Sequence, residues 1–226
     1  MISETSAASA PLAHLPAHSL AARLAATRET YRTLEAFFDE IVAGLKSVGV
    51  GRAAPQLGEV FPEFALPSAR GGFLALDELL AEGPVVLNFS RGRWCPYCVH
   101  ELAAWGEALP ALNAAGARFL EVTGETGGEA RSILQSLPGQ AEVVCDVDHG
   151  LALSLGLAFF AGEPMLDFYR KSGIDFGAIY GSDSGFLPVP ATYVIGRDGT
   201  VRYAFVDVDF RNRAEPADAL AALKAG

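Results

Sequence analysis

Apolar residues follow a helical spacing near the start of the chain. Between residues 20 and 48 they recur at intervals of three and four, which predicts one amphipathic helix. Gly49, Gly51 and Pro55 would end this helix. Residues 1–18, rich in Ala, Ser and Pro, are typical of a loose tail. The candidate inward positions of the helix are Leu24, Tyr31, Leu34, Phe38, Ile41 and Leu45.

From residue 56 onward, short apolar runs alternate with helical patterns. Strands are predicted at residues 64–66, 73–76, 85–89, 117–122, 142–145, 192–195 and 201–206. Helices are predicted at 77–80 with Asp77 as N-cap, after Cys95 with a kink or end at Pro110, and at 129–137, 151–157 and 216–224. The strand–helix–strand unit around Cys95 implies parallel pairing with a right-handed crossover. We therefore predict an α/β domain over residues 56–226, preceded by an N-terminal tail and helix over residues 1–55.

The segment from residue 158 to 188 is rich in Gly and aromatic residues. Its rings either shape a substrate pocket or a dimer face, or form a satellite hydrophobic cluster under a long loop. The spacing of the residues does not separate these interpretations. The aromatic residues concerned are Phe159, Phe160, Phe168, Tyr169, Phe176, Tyr180 and Phe186.

Composition narrows the class of protein. Half of the 226 residues are hydrophobic, which is enough for a substantial core. The formal net charge of −10 argues against nucleic acid or an anionic membrane surface as a partner. No run of eighteen apolar residues predicts a membrane span. Residues 1–16 lack the basic and apolar regions of a signal peptide, so we expect a cytoplasmic protein.

The candidate chemistry lies in Cys95 and Cys98, which follow a predicted strand and open a predicted helix. The free N–H groups and the dipole of a helix N-terminus stabilise a thiolate, which is the nucleophilic form of cysteine. Arg91 and Arg93 flank Cys95 and would lower its pKa further, and Pro96 is tolerated in the first helical turn. A C-x-x-C near a βαβ pattern is typical of a thioredoxin-like redox motif.

Cys98 lies one turn after Cys95, so it faces the same side and can close a disulfide. We expect it to be the more protonated and less exposed of the two thiols. The default interpretation of His100 and Glu101 is an exposed helix face. Trp94 either shields the Cys95 sulfur from water or fills space.

Other uses of the cysteines are open. A zinc site needs four ligands and would have to recruit Cys145, His149 or His100. Two inert structural thiols are a weaker alternative, because inert cysteines rarely sit beside two arginines at a helix start. Cys145 is either a second resolving thiol or, more in keeping with free cysteines, a core residue.

Beside this motif, the runs at residues 61–67, 143–146 and 190–195 carry a family resemblance. Over residues 56–210 the chain resembles the alkyl hydroperoxide reductase/thiol-specific antioxidant (AhpC/TSA) family, in its peroxiredoxin-like branch with a C-x-x-C. The resemblance implies a thioredoxin-like, peroxiredoxin-type α/β sandwich with an N-terminal helical extension. It also implies that Cys95 occupies the position of the peroxidatic cysteine.

The chain departs from that family at the site. The family's Pro seven residues before the reactive cysteine is Asn88, its Thr or Ser three residues before is Gly92, and its Glu three residues after is Cys98. Where the family has an Arg before a late strand, this chain has Pro190, which resembles the cis-proline that faces the C-x-x-C of thioredoxins. We therefore predict a cis Val189–Pro190 bond packed against the Cys95 loop.

These observations predict a thiol-based oxidoreductase. Cys95 attacks a peroxide oxygen or a disulfide sulfur, and Cys98 resolves the intermediate. An external thiol donor, thioredoxin or glutathione, reduces the Cys95–Cys98 disulfide. No cofactor or metal is required, and a homodimer is one option for assembly. The rivals are a disulfide oxidoreductase without a peroxidase role, a redox sensor and a zinc-stabilised, non-catalytic binding module.

Overall fold

A computed structural model describes residues 19–126 and 128–225. The predicted tail, residues 1–18, lies outside the described residues. The β-strands are β1 (Ala65–Pro67), β2 (Phe73–Ala75), β3 (Val85–Ser90), β4 (Arg118–Thr123), β5 (Ala141–Cys145), β6 (Ala158–Phe160), β7 (Phe186–Pro188), β8 (Ala191–Ile195) and β9 (Val201–Val206). The α-helices are α1 (Leu20–Thr30), α2 (Glu35–Ser47), α3 (Leu76–Glu82), α4 (Pro96–Ala114), α5 (Glu129–Ser136), α6 (Gly150–Ser154), α7 (Gly162–Lys171), α8 (Phe176–Tyr180) and α9 (Pro216–Ala225).

The centre of the fold is a five-stranded β-sheet with the strand order β5–β4–β3–β8–β9. β3 pairs in parallel with β4, as the strand–helix–strand pattern predicted, and β4 pairs in parallel with β5. β8 runs antiparallel to both β3 and β9, and the predicted final hairpin is present. Two small antiparallel pairs, β1–β2 and β6–β7, lie outside this sheet. The predicted α/β sandwich with N-terminal helices is confirmed.

Both faces of the sheet are covered, because successive side chains of a strand point to opposite sides. Leu87 of β3 packs in a cluster with Phe61 and Tyr193 on one face. Val86 packs with Trp105 and Leu109 of α4 on the other. α4, which begins directly after Cys95, therefore lies flat on the sheet.

The prediction of one unbroken helix over residues 20–48 was wrong. The backbone turns at Tyr31 (φ −102°, ψ 21°) and continues through a 3₁₀ turn at Arg32–Leu34 into α2. Leu24 of α1 and Phe38 of α2 pack in the same hydrophobic cluster. In a straight helix these two residues would lie roughly 21 Å apart at 1.5 Å per residue, so the chain has to turn.

A kink or an end of α4 was predicted at Pro110, and the predicted end was wrong, since the helix runs through it to Ala114. A proline inside a helix costs about 3 kcal/mol or more. Leu109 and Leu112 beside it are fully buried. Burying each contributes about 1.5–3 kcal/mol, which offsets that cost when Pro110 itself stays on the exposed side.

Smaller corrections concern helix ends. α3 begins at Leu76 with Ala75 as its N-cap, so Asp77 lies in the first turn and is not the cap. The backbone N–H of Ala75 donates to Glu78 Oε2 at 3.1 Å, which satisfies one free donor of the helix start. α6 is shorter than predicted and ends at Ser154. None of the helices that the structure describes combines the length and the apolar character needed to cross a bilayer.

Candidate active site

Cys95 is the N-cap residue of α4, and Pro96 occupies the first helical turn. β3 ends at Ser90, so a short loop carries the chain from the edge of the sheet to the helix start. This arrangement points the free N–H groups of the first turn toward the region of the Cys95 sulfur. Cys95 and Cys98 are both free thiols in this structure.

The pKa values of the two thiols are driven apart. Burial raises the pKa of Cys95, but a hydrogen bond with Cys98 and the positive charges of Arg91 and Arg213 outweigh burial and lower it to about 6. Burial and the neighbouring Cys95 hold the pKa of Cys98 well above its usual range. At neutral pH Cys95 is therefore the thiolate and Cys98 the thiol. The expectation that Cys98 is the less exposed was wrong, since the two residues are 1% and 3% exposed.

Arg91 is enclosed by aromatic rings. Its guanidinium carbon lies 4.6 Å from the ring centroid of Trp94 and 4.3 Å from that of Phe210. Its Nη2 donates to the Tyr169 hydroxyl at 2.8 Å. The rings fix the buried cation without neutralising it, so its charge remains available to the Cys95 thiolate.

Arg93 occupies a different environment. Its side chain forms an ion pair with Glu129 at 3.4 Å, and its backbone N–H donates to Glu125 Oε1 at 2.9 Å. The two arginines predicted beside Cys95 are therefore separated: Arg91 acts on the charge of the sulfur, and Arg93 faces the other way.

Gly92, which replaces the family's hydroxyl residue, has a physical reason to be glycine. Its φ is +101°, and a Cβ at this position would collide with the carboxyl group of Glu125. Burial raises the pKa of Glu125 to about 7, although the hydrogen bond from Arg93 opposes it. A buried carboxyl group therefore fills the space that a threonine side chain would need.

The aromatic segment over residues 158–188 packs against the loop that precedes Cys95. Trp94 Nε1 donates to the Tyr180 hydroxyl at 2.8 Å, and that hydroxyl donates to the Arg91 carbonyl at 2.7 Å. Tyr169 supplies the hydroxyl that accepts from Arg91. The sequence left the role of this segment open: Tyr169 and Tyr180 were among the rings that could shape a pocket, but their hydrogen bonds to the Cys95 loop were not predicted. The abundance of aromatic residues was the only signal.

Arg213 and Glu101 were missed as well. Arg213, from the loop before α9, donates from Nη2 to Cys98 Sγ at 3.2 Å and from Nε to Glu101 Oε2 at 2.7 Å. Both charged side chains are 1% exposed, so the expectation of an exposed face at Glu101 was wrong. The reason is that α1 and the segment before α9 pack on this side of α4. We call Arg91, Cys95, Cys98, Glu101 and Arg213 the redox pocket.

A row of polar side chains lies beneath α4 on the sheet. Asn88 Nδ2 donates to Glu121 Oε2 at 2.9 Å, and Thr192 Oγ1 donates to Asn88 Oδ1 at 2.8 Å. The three residues are direct neighbours across β4, β3 and β8. Asn88, where the family has proline, thus provides hydrogen bonds to two buried polar groups.

The predicted cis bond before Pro190 was wrong, since the Val189–Pro190 bond is trans and no cis bond occurs in the described ranges. The chain runs from β7 directly into β8, and the Val189 N–H donates to the Leu157 carbonyl at 2.7 Å. No tight turn is needed here, and the default trans form is kept.

The N-terminal helices α1 and α2, which we call the N-terminal cover, shield the redox pocket from solvent. Leu20, Leu24 and Phe38 of the cover pack in one cluster with Cys95 and Cys98. Among the described residues, the ion pairs that join the cover to the rest of the chain are Arg23–Glu107 at 2.7 Å, Arg28–Asp209 at 3.1 Å, Glu35–Arg211 at 3.9 Å and Asp39–Arg211 at 2.5 Å. The two sulfurs are therefore almost fully buried in this structure.

Cys145 lies outside the redox pocket, and its surroundings bear on the alternative of a zinc site. Cys145 ends β5 and is half-buried, and its Sγ donates to the Glu125 carbonyl at 3.2 Å. Within the part of the chain that the structure describes, no group of three or more His, Cys, Asp and Glu side chains is placed to hold a metal ion.

A low-pKa cysteine at the start of a helix on an α/β sheet is the arrangement of a thiol-dependent redox protein. A sequence model of the AhpC/TSA family matches residues 57–204, so the chain belongs to this family. Family and fold together support thiol peroxidase activity.

Solved structures of peroxiredoxins share the fold. Peroxidoxin BcpB from Mycobacterium tuberculosis is 19% identical with a TM-score of 0.57, over 76% of this chain and 97% of that chain. A cysteine-to-serine mutant of peroxiredoxin 6 of Arenicola marina is 17% identical with a TM-score of 0.57, over 75% and 72%. The reduced 2-Cys peroxiredoxin of Plasmodium vivax is 14% identical with a TM-score of 0.52, over 75% and 80%. A search of curated proteins found no match.

Proposed function

We propose that this protein is a thiol peroxidase in which Cys95 attacks a small hydroperoxide and Cys98 resolves the product. The observation that carries the proposal is the opposite shift of the two thiol pKa values, to about 6 for Cys95 and upward for Cys98. A thiolate next to a protonated thiol is what a nucleophile and a resolving group require.

The reaction balances with these two sulfurs and one substrate. The Cys95 thiolate attacks the terminal oxygen of a hydroperoxide, the O–O bond breaks, and an alkoxide or hydroxide leaves and takes up a proton. Cys95 becomes a sulfenic acid. Cys98 then attacks Sγ of Cys95, the S–O bond breaks, and water and the Cys95–Cys98 disulfide result. A thioredoxin-like dithiol or two glutathione molecules return two electrons and complete the cycle.

The packing of the N-terminal cover over the redox pocket favours a small substrate. Both sulfurs are almost fully buried, and the rings of Phe38, Trp94 and Phe210 pack around the redox pocket. Hydrogen peroxide needs little space to reach Cys95, whereas a protein disulfide requires the cover to move. A protein reductant requires the same movement, because it must contact the Cys95–Cys98 disulfide.

Disulfide reduction is the second candidate. It is favoured by Gly92, since the hydroxyl that would hold a peroxide in the family is missing and Glu125 fills its place. The trans Val189–Pro190 bond weighs against it, because the expected resemblance to the thioredoxin cis-proline is lost. We therefore rank it below peroxide reduction.

The test is a parallel assay on the full chain with hydrogen peroxide, cumene hydroperoxide and a protein disulfide as oxidants. Thioredoxin with its reductase, or glutathione, serves as reductant. We expect turnover of the hydroperoxides, faster for hydrogen peroxide, and loss of turnover in Cys95→Ser. In Cys98→Ser a single oxidation of Cys95 should remain. The matched control is Cys145→Ser, which should keep the activity. Reduction of the protein disulfide without peroxide turnover would instead support the second candidate.

A cytoplasmic location and a homodimer also remain proposals. The net charge of −10 supports a partner other than nucleic acid or an anionic membrane. Cell fractionation and analytical ultracentrifugation would test the two proposals separately.

A further inference from the structure

Glu101 is a buried carboxyl group one helical turn after Cys98. Residues three apart on a helix lie on the same face, with Cβ atoms about 5–6 Å apart. Arg213 contacts both side chains, with Nη2 on Cys98 Sγ at 3.2 Å and Nε on Glu101 Oε2 at 2.7 Å. The second oxygen of Glu101, Oε1, is buried and has no hydrogen-bond partner among the described residues. One carboxylate oxygen is thus fixed and the other is free.

Stability does not account for this pair. Withdrawing two charges from water costs free energy for each ion, and well-packed apolar residues in the same place are often as stable or more stable. An orphaned carboxylate oxygen adds a further cost, because no hydrogen bond replaces the water that it has lost. A buried acid with a free oxygen beside a reactive sulfur therefore indicates a chemical role.

Closing the disulfide requires that Cys98 lose a proton. Its Sγ accepts from Arg213 and, at 3.4 Å, from the Arg91 backbone N–H, and both donors stabilise a thiolate once it forms. Neither can take the proton, because a guanidinium is already fully protonated and an amide N–H is not a base. Glu101 is the carboxylate that Arg213 holds beside Cys98, so it is the group placed to accept this proton.

We propose that Glu101 accepts the proton that Cys98 loses when the Cys95–Cys98 disulfide closes, and that Arg213 is the positioning residue that holds the two side chains for this transfer. The role rests on the proposed function, since the sulfenic acid at Cys95 comes from a hydroperoxide. The Cys98 thiolate attacks Cys95 Sγ, and the S–O electron pair leaves with hydroxide. The proton on Glu101 then converts hydroxide to water, which restores the carboxylate.

Charge balance in the redox pocket favours this order of events. Arg213 interacts with the negative charges of both Cys95 and Glu101. Oxidation of Cys95 removes one of these charges, which leaves Arg213 to stabilise the two groups that it contacts directly, Glu101 and Cys98. Burial raises the pKa of Glu101 to about 8, against the opposing charge of Arg213. The carboxylate is therefore a stronger base than that of an ordinary glutamate, with a pKa close to the working pH, which is what transfer of the Cys98 proton requires.

The test measures disulfide closure within one turnover of the full-length protein. Reduced protein receives one equivalent of hydrogen peroxide, and a sulfenic-acid-trapping dicarbonyl is compared with formation of the disulfide over time. In Glu101→Gln, oxidation of Cys95 should stay within a few-fold of wild type while closure slows by about 10²–10³-fold, the range for loss of a general base. The sulfenic acid should accumulate and be trapped. Glu101→Asp should restore part of the rate.

The pH profile of closure separates proton transfer from a merely structural role. Glu101 is faced by Cys98 on its own helix, by Arg213 from the loop before α9, and by Asn88 and Glu121 from β3 and β4. Closure in wild type should level off as Glu101 ionises, whereas closure in Glu101→Gln should keep rising about tenfold per pH unit, as expected for thiolate supplied by solvent. The matched control is Glu121→Gln, which removes an equally buried carboxyl group that has no contact with Arg213 and should close at the wild-type rate.

The proposal is overturned if Glu101→Gln closes as fast as wild type, if its pH profile is that of wild type, or if Glu121→Gln is slowed equally. Failure of the peroxidase proposal is distinguishable, because wild type would then not be oxidised by peroxide. In that case Cys95 is loaded with dithiodipyridine, and the release of thiopyridone by Cys98 measures the same closure. Release of thiopyridone should then be slow in Glu101→Gln, partly restored in Glu101→Asp, and as fast as wild type in Glu121→Gln.

Discussion

Two neighbouring residues of β3, Leu87 and Asn88, face two buried regions that differ in their chemistry. Leu87 faces an apolar cluster that includes Phe61 and Tyr193, where burial removes hydrocarbon from water and stabilises the fold. On the other face, Asn88 lies near the redox pocket, where the side chains of Glu101 and Arg213 are each 1% exposed. There burial costs free energy, because charged groups lose water. Equal burial thus stabilises one region and tunes reactivity in the other.

Within the redox pocket, burial alone does not decide which group is charged. Burial raises the pKa of both Cys95 and Glu101. Cys95 nevertheless ends at a pKa of about 6 because two guanidinium groups and the Cys98 thiol stabilise its charge, whereas Glu101 ends at about 8. The arginines therefore select the sulfur as the stable anion.

Of the variants considered, Arg213→Met should have the largest effect on stability, and this effect is specific to the redox pocket. Removing one partner of a buried ion pair costs about 3–5 kcal/mol of unfolding free energy, and the double variant with Glu101→Met should recover most of it. Since a raised carboxyl pKa contributes stability at low pH that is lost as the pH rises through it, the single variant should weaken further above pH 7. Urea denaturation from pH 6 to 9 measures both effects. Equal stability of the single and double variants would contradict the assignment.

In the apolar region, Leu87→Ala should cost about 2–5 kcal/mol, because the cavity it leaves cannot be filled by the sheet around it. The pKa of Cys95 should stay near 6, since no charge is altered. Chemical denaturation gives the first quantity and the pH dependence of alkylation gives the second. A shift of the thiol pKa in this variant would show that the two regions are coupled.

Gly92→Ala should destabilise the Cys95 loop by about 1–3 kcal/mol through its positive φ alone, and more because of Glu125. Gly58→Ala is the matched control, since Gly58 has a φ of +86° but open space around its Cβ position. The difference between the two variants in thermal denaturation isolates the collision with Glu125. If both lose the same amount, Glu125 moves aside without cost.

The smallest expected effect is a change in the pKa of Cys95 in Arg91→Gln. Loss of this charge should raise the pKa by about one unit, or about 1.4 kcal/mol, and reduce alkylation below pH 6 about tenfold. In wild type the lowered pKa contributes stability to the reduced protein at high pH, which is lost as the pH falls through about 6. Alkylation rates from pH 4 to 9, with peptide mapping, measure the shift. Arg93→Gln serves as control and should leave the midpoint unchanged.

Local spacing was enough to predict most of the sheet and the start of the redox helix. The apolar run of β3, the turn before β9 and the position of Pro96 each depend on neighbours within a few residues. Such features follow from backbone preferences and from side chains that alternate between two faces. The family was also visible in the motif around Cys95 and in short runs at residues 61–67, 143–146 and 190–195.

Tertiary structure alone decided which charges act on the sulfurs. Arg93 is two residues from Cys95 but faces Glu129, whereas Arg213 reaches Cys98 across 115 residues of sequence. The break at Tyr31 and the passage of α4 through Pro110 were likewise settled by what each helix buries. Side-chain direction in a loop and pairing between distant segments depend on the packing of the whole chain, which no local pattern records.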